Sequence, residues 1–312
     1  MRFGVALLFL LVIVFLLAVL FGSERLSFFD LSGEQRAILF DIRLPRVLLG
    51  ASVGASLAVA GASLQSLLRN PLAEPYLLGV SNGAALGTML AFVFFANFAF
   101  ARPVCAFLGA SLATFTVYQM ARSRAGMNTE RLVLSGVIVT TLLSSIIVLL
   151  TSLLDTTRLR SFTFWLLGDL SQATFNGFYL TSVVAVVGTI VLSSQAKALN
   201  LMMIAERDAL DFGVEVGRVR LIVFATSSAL VGLSVAASGS VGYVGLIVPH
   251  LVRLAVGSDN RLVIPFSTIS GAIFVVLADT VARTAIAPRE LPVGAITALI
   301  GAPLFIYLLR RN

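Results

Sequence analysis

The sequence is short of the residues that give a protein a water-soluble surface, a disulfide or a metal site. Only 12% of its 312 residues are charged, and histidine, cysteine and tryptophan occur once each. The single cysteine, Cys105, excludes a disulfide within the chain, and no cluster of histidine and cysteine marks a metal site. A soluble domain of this length needs far more polar surface than this composition provides.

Lysine is nearly absent, because 21 of the 22 basic residues are arginine and Lys197 is the exception. No G-x-x-x-x-G-K-[ST] segment occurs, so the chain has no phosphate-binding loop of that kind and is not its own P-loop ATPase. The net charge of +7 comes from arginines scattered between apolar blocks. This distribution favours the positive-inside pattern of a membrane protein over a nucleic-acid-binding surface.

Long apolar blocks stand where polar surface is missing: 58% of the residues are hydrophobic and the mean hydropathy is +1.01. A block of about 20 apolar residues crosses the roughly 30 Å hydrocarbon layer as a helix, which satisfies its own backbone hydrogen bonds. We therefore predict an all-α polytopic membrane protein, with about ten transmembrane helices in a single transmembrane domain over residues 1–312. The predicted spans are approximately 3–22, 47–68, 76–99, 103–121, 132–154, 177–195, 219–238, 241–256, 262–282 and 292–309.

Two apolar segments need separate interpretation. The first block is long for the apolar part of a secretory signal and lacks a small-x-small cleavage site, so we interpret it as a retained span. Residues 162–167 are too few to cross and are predicted to lie at the surface. Ten spans place both termini on one side, and a cytoplasmic assignment puts 13 of the 22 Lys and Arg inside, as the positive-inside rule favours.

A weak internal repeat has an offset of 178 residues and relates Gly61 and Pro71 to Gly239 and Pro249. The copies cover residues 47–154 and 219–309, and they begin on spans that cross in opposite directions. Such an inverted repeat is common in transporters. The series Gly79, Gly83 and Gly87 predicts close helix packing within the chain.

The predicted membrane spans contain few charged groups that could couple transport to an ion gradient. Asp279 has Arg283 one helical turn further on, which predicts a structural ion pair. His250 is expected to be a hydrogen-bonded structural residue. The scarcity of such groups favours an ATPase on a partner chain, and an ion-gradient-driven carrier is the alternative.

Gly79–Gly83 matches G-x-S-x-G, but a nucleophile elbow needs a strand-turn-helix, so an intramembrane hydrolase is a weaker third hypothesis.

The longest predicted cytoplasmic loop, residues 197–220, alternates apolar and charged residues. Leu199, Met202, Leu210 and Phe212 supply apolar faces, and Gly213 is a plausible helix stop. The pattern predicts two short amphipathic helices beneath the membrane. On composition alone, a docking surface for an ATPase and an ordinary solvated connector fit equally well.

Several stretches together resemble the FecCD family of ABC permeases, the membrane subunits of type II importers. They are Arg43-Leu44-Pro45-Arg46, Gly61-Ala62-Ser63-Leu64-Gln65, Arg69-Asn70-Pro71-Leu72-Ala73-Glu74-Pro75, Leu78-Gly79-Val80-Ser81-Asn82-Gly83, Gly242-Tyr243-Val244-Gly245-Leu246-Ile247-Val248-Pro249-His250, Glu290-Leu291-Pro292-Val293-Gly294 and Gly301-Ala302-Pro303. The resemblance covers nearly the whole chain in order. It implies the ten-span fold and a place in a bacterial or archaeal cytoplasmic membrane.

The same resemblance implies the partners and the cargo. The expected assembly is a homodimer in membrane lipid, with cytoplasmic ABC ATPase subunits below and an extracytoplasmic substrate-binding protein above. ATP and Mg are expected on the ATPase, so this chain is expected to hold no cofactor, to catalyse no reaction and to bind no nucleic acid. The pathway is expected to follow the dimer axis beside the fifth span. Family substrates are metal chelates such as ferric siderophores, haem and cobalamin, together with some oxyanions.

Residue roles follow from the matched motifs. Arginine suits docking to glutamates of the binding protein because its guanidinium grips a carboxylate with two hydrogen bonds. The implied docking residues are Arg43, Arg46 and Arg283. The implied cytoplasmic gate consists of Asn70, Leu72, Thr129 and Glu130, and Glu130 departs from the small hydroxyl residue of the cobalamin permease. The implied ATPase-coupling helix consists of Glu206, Arg207, Asp208, Ala209, Leu210, Asp211, Phe212 and Gly213. Ala205 replaces a glycine that is frequent before it.

Overall fold

A computed structural model describes residues 2–22, 33–95, 98, 100–123, 126–127 and 129–311. Within these ranges the α-helices are α1 (Arg2–Leu20), α2 (Gly33–Ala37), α3 (Leu44–Leu68), α4 (Val80–Phe94), α5 (Ala101–Ala121), α6 (Thr129–Thr151), α7 (Thr156–Leu166), α8 (Phe175–Ser194), α9 (Ala196–Ile204), α10 (Glu206–Asp211), α11 (Val216–Ser238), α12 (Val244–Val256), α13 (Asn260–Thr284) and α14 (Val293–Arg311). A π-helical segment, Ile38–Arg43, leads directly into α3, and a 3-10 turn, Pro75–Leu78, precedes α4. The two-residue strands β1 (Arg122–Ser123) and β2 (Gly126–Met127) pair antiparallel between α5 and α6.

Each of the ten predicted spans contains a helix, which confirms the all-α polytopic fold. In the described ranges, seven helices are long and apolar enough to cross a membrane: α1, α3, α5, α6, α8, α11 and α13. The apolar helices α4 and α12 are shorter, as is the apolar stretch Val293–Tyr307 of α14. Residues 162–166 belong to α7 and Leu167 follows its end; the 11 residues of α7 span only about 16 Å and are too short to cross, as predicted.

Helix ends follow local capping chemistry. The side chain of Asp155 accepts a hydrogen bond from the backbone N–H of Arg158 and starts α7, and Thr174 does the same for Gly177 at α8. Such side-chain acceptors satisfy backbone donors that have no partner within the helix. Beyond the end of α10, Gly213 has a φ of 79°, a left-handed conformation that glycine adopts without strain. The predicted stop at Gly213 is therefore confirmed.

Helix α3 forms the centre of the bundle, and 21 of its 25 residues are buried. It packs against α8, α11, α12 and α13. The approach is close because glycines face one another. A Cβ at Gly54 would lie 2.1 Å from the carbonyl oxygen of Gly271, and one at Gly61 would lie 1.9 Å from that of Gly245. Lipid supplies no hydrophobic drive between helices, so packing in a bilayer relies on such small residues.

The predicted glycine series forms a second close contact, between α4 and α5. A Cβ at Gly83 would lie 2.4 Å from the carbonyl oxygen of Gly109. One at Gly87 would lie 1.9 Å from the carbonyl oxygen of Cys105. The prediction of packing within the chain is confirmed.

The order of helices repeats across the two halves of the chain. Helices α3 to α6 have 25, 15, 21 and 23 residues, and α11 to α14 have 23, 13, 25 and 19. Both short helices start after a left-handed residue, Gly79 before α4 and Tyr243 before α12. The 178-residue offset does not relate equivalent places, because Pro71 lies in a turn whereas Pro249 lies inside α12. As the second and seventh of the ten predicted spans, α3 and α11 are expected to cross in opposite directions.

Adding a methyl group at Gly61 tests the central packing. We expect Gly61→Ala to push α3 away from Gly245 and to destabilise the fold by about 1–3 kcal/mol, the usual range for overpacking. The control is Gly217→Ala in α11, where an added Cβ meets nothing within 4 Å. Thermal unfolding in detergent should give a lower Tm for Gly61→Ala alone. Equal midpoints for the two variants would contradict the packing described above.

Candidate functional site

The three predicted docking arginines lie together at one end of the bundle, near the last turns of α1 and α13. Their exposed fractions are 4% for Arg43, 4% for Arg46 and 3% for Arg283. A docking surface needs side chains that a partner can reach. The structure therefore shows a buried cluster where the sequence predicts an outward-facing one.

A buried aspartate holds two of these arginines. Asp279 is 1% exposed, and its carboxylate lies 3.0 Å from Arg46 Nη2 and 3.0 Å from Arg283 Nε. The Asp279–Arg283 ion pair predicted from their spacing is confirmed. Arg46 also pairs at 2.7 Å with Glu290, whose side chain is 38% exposed. Breaking the buried pair of Asp279 with either arginine leaves an uncompensated charge, which costs about 3–5 kcal/mol.

The cluster also caps α1. Arg43 Nη1 donates to the carbonyl oxygens of Val19 at 3.2 Å and Leu20 at 2.9 Å, and Arg283 Nη2 donates to that of Ala18 at 3.0 Å. The last carbonyls of a helix lack partners within it and carry negative partial charge. The arginines therefore join α1, α3 and α13. Docking by them stays a prediction, and an incoming carboxylate would have to displace Asp279 or Glu290.

The predicted gate residues lie on two elements. Asn70 and Leu72 are exposed in the turn after α3, where Asn70 Oδ1 accepts a hydrogen bond from the Leu72 N–H at 2.9 Å. Glu130 is exposed in the first turn of α6. Thr129 begins that helix, and its side chain lies outside the described residues. The 3-10 turn Pro75–Leu78 packs on α6, and the role of these four residues as a gate stays a prediction.

The turn before α4 is tied to the turn before α12, a contact that the sequence analysis missed. Glu74 Oε1 accepts from the backbone N–H of Tyr243 at 2.9 Å. The Tyr76 hydroxyl donates to Val241 O at 3.0 Å and accepts from Val241 N at 3.0 Å. Tyr243 has a φ of 67°, a conformation that costs a non-glycine residue about 1–2 kcal/mol, and the bond from Glu74 helps to hold it. The only sequence feature that points to this contact is Glu74, an acid next to Pro75 in one of the stretches that resemble the FecCD family.

The predicted cytoplasmic loop, residues 197–220, contains the predicted pair of short helices, α9 and α10. Leu199, Met202 and Ala209 are buried against the bundle. Leu210 is 55% exposed and Phe212 is 75% exposed, beside the exposed charges of α10. The exposed charged residues there are Arg207, Asp208 and Asp211, while Glu206 pairs with Arg220 of α11 at 2.7 Å. Apolar side chains ringed by charge are typical of a surface that binds another protein.

A chain of hydrogen bonds, also missed from sequence, leads from α9 into the bundle. Asn200 Oδ1 accepts from the backbone N–H of Asn260 at 2.9 Å, and Asn200 Nδ2 donates to Asp259 Oδ1 at 2.7 Å. Ser66 Oγ donates to Asn260 Oδ1 at 2.6 Å. Asp259 caps α13, and hydrogen bonds from the Arg261 side chain and backbone and from Asn200 hold its carboxyl pKa well below the ordinary value. Asp259 therefore stays ionised at cellular pH.

The hydrogen-bond chain continues to α12. Arg253 donates to Gln65 Oε1 through Nη1 and to Ser66 Oγ, at 3.0 Å, through Nη2. Gln65 Nε2 in turn donates to the carbonyl oxygen of Gly245 at 3.2 Å. That carbonyl lacks its usual partner four residues on, because Pro249 has no N–H. We call the residues Asn200, Asp259, Asn260, Ser66, Gln65 and Arg253 the relay; it links α9, α13, α3 and α12.

His250 follows Pro249 in α12. Its Nε2 is buried and has no hydrogen-bond partner among the described residues. The expectation of a hydrogen-bonded histidine is wrong for this atom.

Comparisons with known proteins agree with this architecture. Residues 10–311 match the model of the FecCD transport family. The chain is 44% identical to the cobalamin import system permease protein BtuC of Halobacterium salinarum, over 90% of this chain and 76% of that protein. It is 38% identical to the hemin transport system permease protein HmuU of Yersinia pestis, over 98% and 94% of the two chains.

Solved structures show the same fold. One is described as an inward-facing conformation of a metal-chelate type ABC transporter; it superposes with a TM-score of 0.91 at 34% identity and covers 100% of this chain and 99% of that one. The more distant PsaBC of Streptococcus pneumoniae, at 16% identity and a TM-score of 0.62, covers 87% of this chain and 92% of that one and shares the fold alone. The family match spans nearly the whole chain, and the chain belongs to the FecCD transport family.

Proposed function

We propose that this chain is the membrane permease subunit of an ABC importer for a metal-chelate nutrient such as a ferric siderophore, haem or cobalamin. The family match and the names of its relatives support the transport class and the cargo. The observation that carries the proposal is the α9–α10 surface, which exposes Leu210 and Phe212 and connects to three spans through the relay. A separate ATPase, which holds ATP and Mg, is the partner proposed for that surface.

Coupling in this proposal is mechanical. Closure of the ATPase subunits moves α9 and α10, and Asn200 passes the displacement to the start of α13 through Asn260. Ser66 and Arg253 extend it to α3 and α12. Because buried hydrogen bonds are costly to leave unmade, these helices move with α9 rather than away from it. The gate residues near the end of α3 then exchange between open and closed arrangements.

The proposed assembly is a homodimer with both termini in the cytoplasm and a substrate-binding protein on the opposite face. The exposed face of helix α6 supports the proposal that this helix lies at the dimer axis. It exposes a face that carries Thr141 and Ser145, spaced one helical turn apart, among apolar residues. Their hydroxyls donate to backbone carbonyls of the same helix, at 2.9 and 3.0 Å. Such a face, with weak polarity and little charge, suits the passage of a bulky chelate that the binding protein has already selected.

Replacement of the exposed apolar pair tests the proposed function. We expect Leu210→Ser with Phe212→Ser to weaken ATPase co-purification roughly thirtyfold, since truncation of two buried interface anchors at about 1 kcal/mol each removes about 2 kcal/mol. ATP-driven uptake into proteoliposomes should fall in parallel. The control is Ile286→Ser, which alters a residue that is 55% exposed at the opposite end. Uptake driven by an ion gradient in the absence of any ATPase would establish the alternative carrier instead.

Asn200→Ala tests the relay separately from docking. The variant removes the acceptor of the Asn260 N–H and a donor to Asp259, while the exposed α10 surface is untouched. We expect normal ATPase binding but fewer substrate molecules imported per ATP hydrolysed. The control is Lys197→Ala, an exposed position on the same helix. An unchanged ratio of import to hydrolysis would show that the relay does not transmit the motion.

A further inference from the structure

A cavity of about 1020 Å³ opens between α5, α7, α8 and α11. Its walls are mostly apolar, and its lining includes Val104, Phe107, Leu180, Val184 and Leu233. None of the residues that line it belongs to α6. The cavity is thus separate from the helix proposed to border the transport pathway.

The cavity lies at the end of the bundle opposite α9 and α10. It is lined by the first turns of α5 and α8 and by the last turns of α11. Helix α8 runs from this end toward Ser194, where α9 begins. The cavity and the proposed ATPase surface are therefore in opposite halves of the membrane.

Two arginines stand at the cavity: Arg102 at the start of α5 and Arg160 in α7. The guanidinium carbon of Arg102 lies 5.5 Å from the centre of the Phe92 ring, and that of Arg160 lies 5.8 Å from the centre of the Phe164 ring. In the described part of the chain neither arginine pairs with a carboxylate, whereas the neighbouring Arg158 pairs with Asp155. A guanidinium that lies over a ring keeps its in-plane N–H donors available for an oxyanion.

The other polar groups at the cavity are one carboxylate, that of Asp169, and uncharged side chains. The carboxylate of Asp169 accepts hydrogen bonds from the Ser171 N–H at 2.7 Å and the Ser171 hydroxyl at 2.9 Å. Gln172 and Asn176 add uncharged amides to the lining. The arginines are thus the cationic groups of the lining, next to a long apolar wall.

We propose that this cavity binds an anionic phospholipid, with an acyl chain along the apolar wall and the phosphate held by Arg102 and Arg160. A phosphate and an acyl chain in one molecule match the cationic and apolar parts of the site together. A phosphate bound through two charge-assisted hydrogen bonds gives a preference for anionic lipid that an apolar groove alone lacks. The occupant comes from the membrane half opposite the proposed ATPase surface.

Lipid retention, measured by native mass spectrometry after extraction from nanodiscs, tests the site. The nanodiscs contain phosphatidylglycerol and phosphatidylcholine in equal amounts. We expect wild-type protein to retain phosphatidylglycerol preferentially and Arg102→Gln with Arg160→Gln to lower that preference at least about tenfold, because the loss of even one charge-assisted bond has that effect. The control is Arg289→Gln, an exposed arginine outside the cavity. It should keep the wild-type preference.

A second variant tests the apolar wall. Ala229 is exposed and lines the cavity, so Ala229→Trp fills the groove without disturbing the buried core. It should reduce retention of both lipids, while size-exclusion chromatography shows the same monodisperse protein. An equal preference in wild type and the double arginine variant would overturn the proposal. So would equally strong retention of a short-chain phosphatidylglycerol, because the groove would then contribute nothing.

Discussion

Close backbone contact between α3 and its neighbours is the constraint on which the rest of the structure depends. At Gly54 and Gly61 there is no room for even a methyl group, so α12 and α13 lie directly on the central helix. Such proximity lets short polar side chains such as Ser66 and Gln65 reach across to the next helix. Unpaired backbone groups are costly in a membrane. A helix can therefore be interrupted only where a side chain from a neighbouring helix reaches the backbone groups that the interruption leaves without partners. The proline in α12 is one such break, and Gln65 supplies its missing partner.

Polar clusters fasten the two ends of the central helix in different ways. At one end, Arg46 of α3 is bound to Asp279 of α13 by a buried ion pair. At the other end, Ser66 of α3 belongs to a relay of hydrogen bonds, a neutral one to Asn260 and a charge-assisted one from Arg253. Breaking a buried ion pair costs about 3–5 kcal/mol, whereas a hydrogen bond contributes about 0.5–1.5 kcal/mol when neutral and about 1.5–3 kcal/mol when one partner is charged. The end beside α9 is thus the one better suited to rearrange during transport, and the arginine end is the better anchor.

Local sequence patterns predicted the parts of the fold that depend on nearby residues. The spans follow from apolar blocks, and α9 and α10 follow from alternating polarity that stops at Gly213. The site depends on contacts between residues that are far apart along the chain. No short segment of a single sequence indicates such contacts. Arg46 and Asp279 are 233 residues apart, so an arginine that looks like an exposed docking group is buried by a partner from the other half of the chain. Asn200 and Asn260 are 60 residues apart, and nothing local distinguishes either of them.

The central claim is that a separate ATPase acts on the α9–α10 surface from the cytoplasm. Its most direct test is the position of Phe212, which is 75% exposed. In a Cys105→Ser background, Phe212→Cys provides the only thiol of the chain. We expect this thiol to crosslink to the ATPase subunit and to be inaccessible to a membrane-impermeant maleimide added to intact cells. Labelling from outside, with no crosslink to the ATPase, would contradict it.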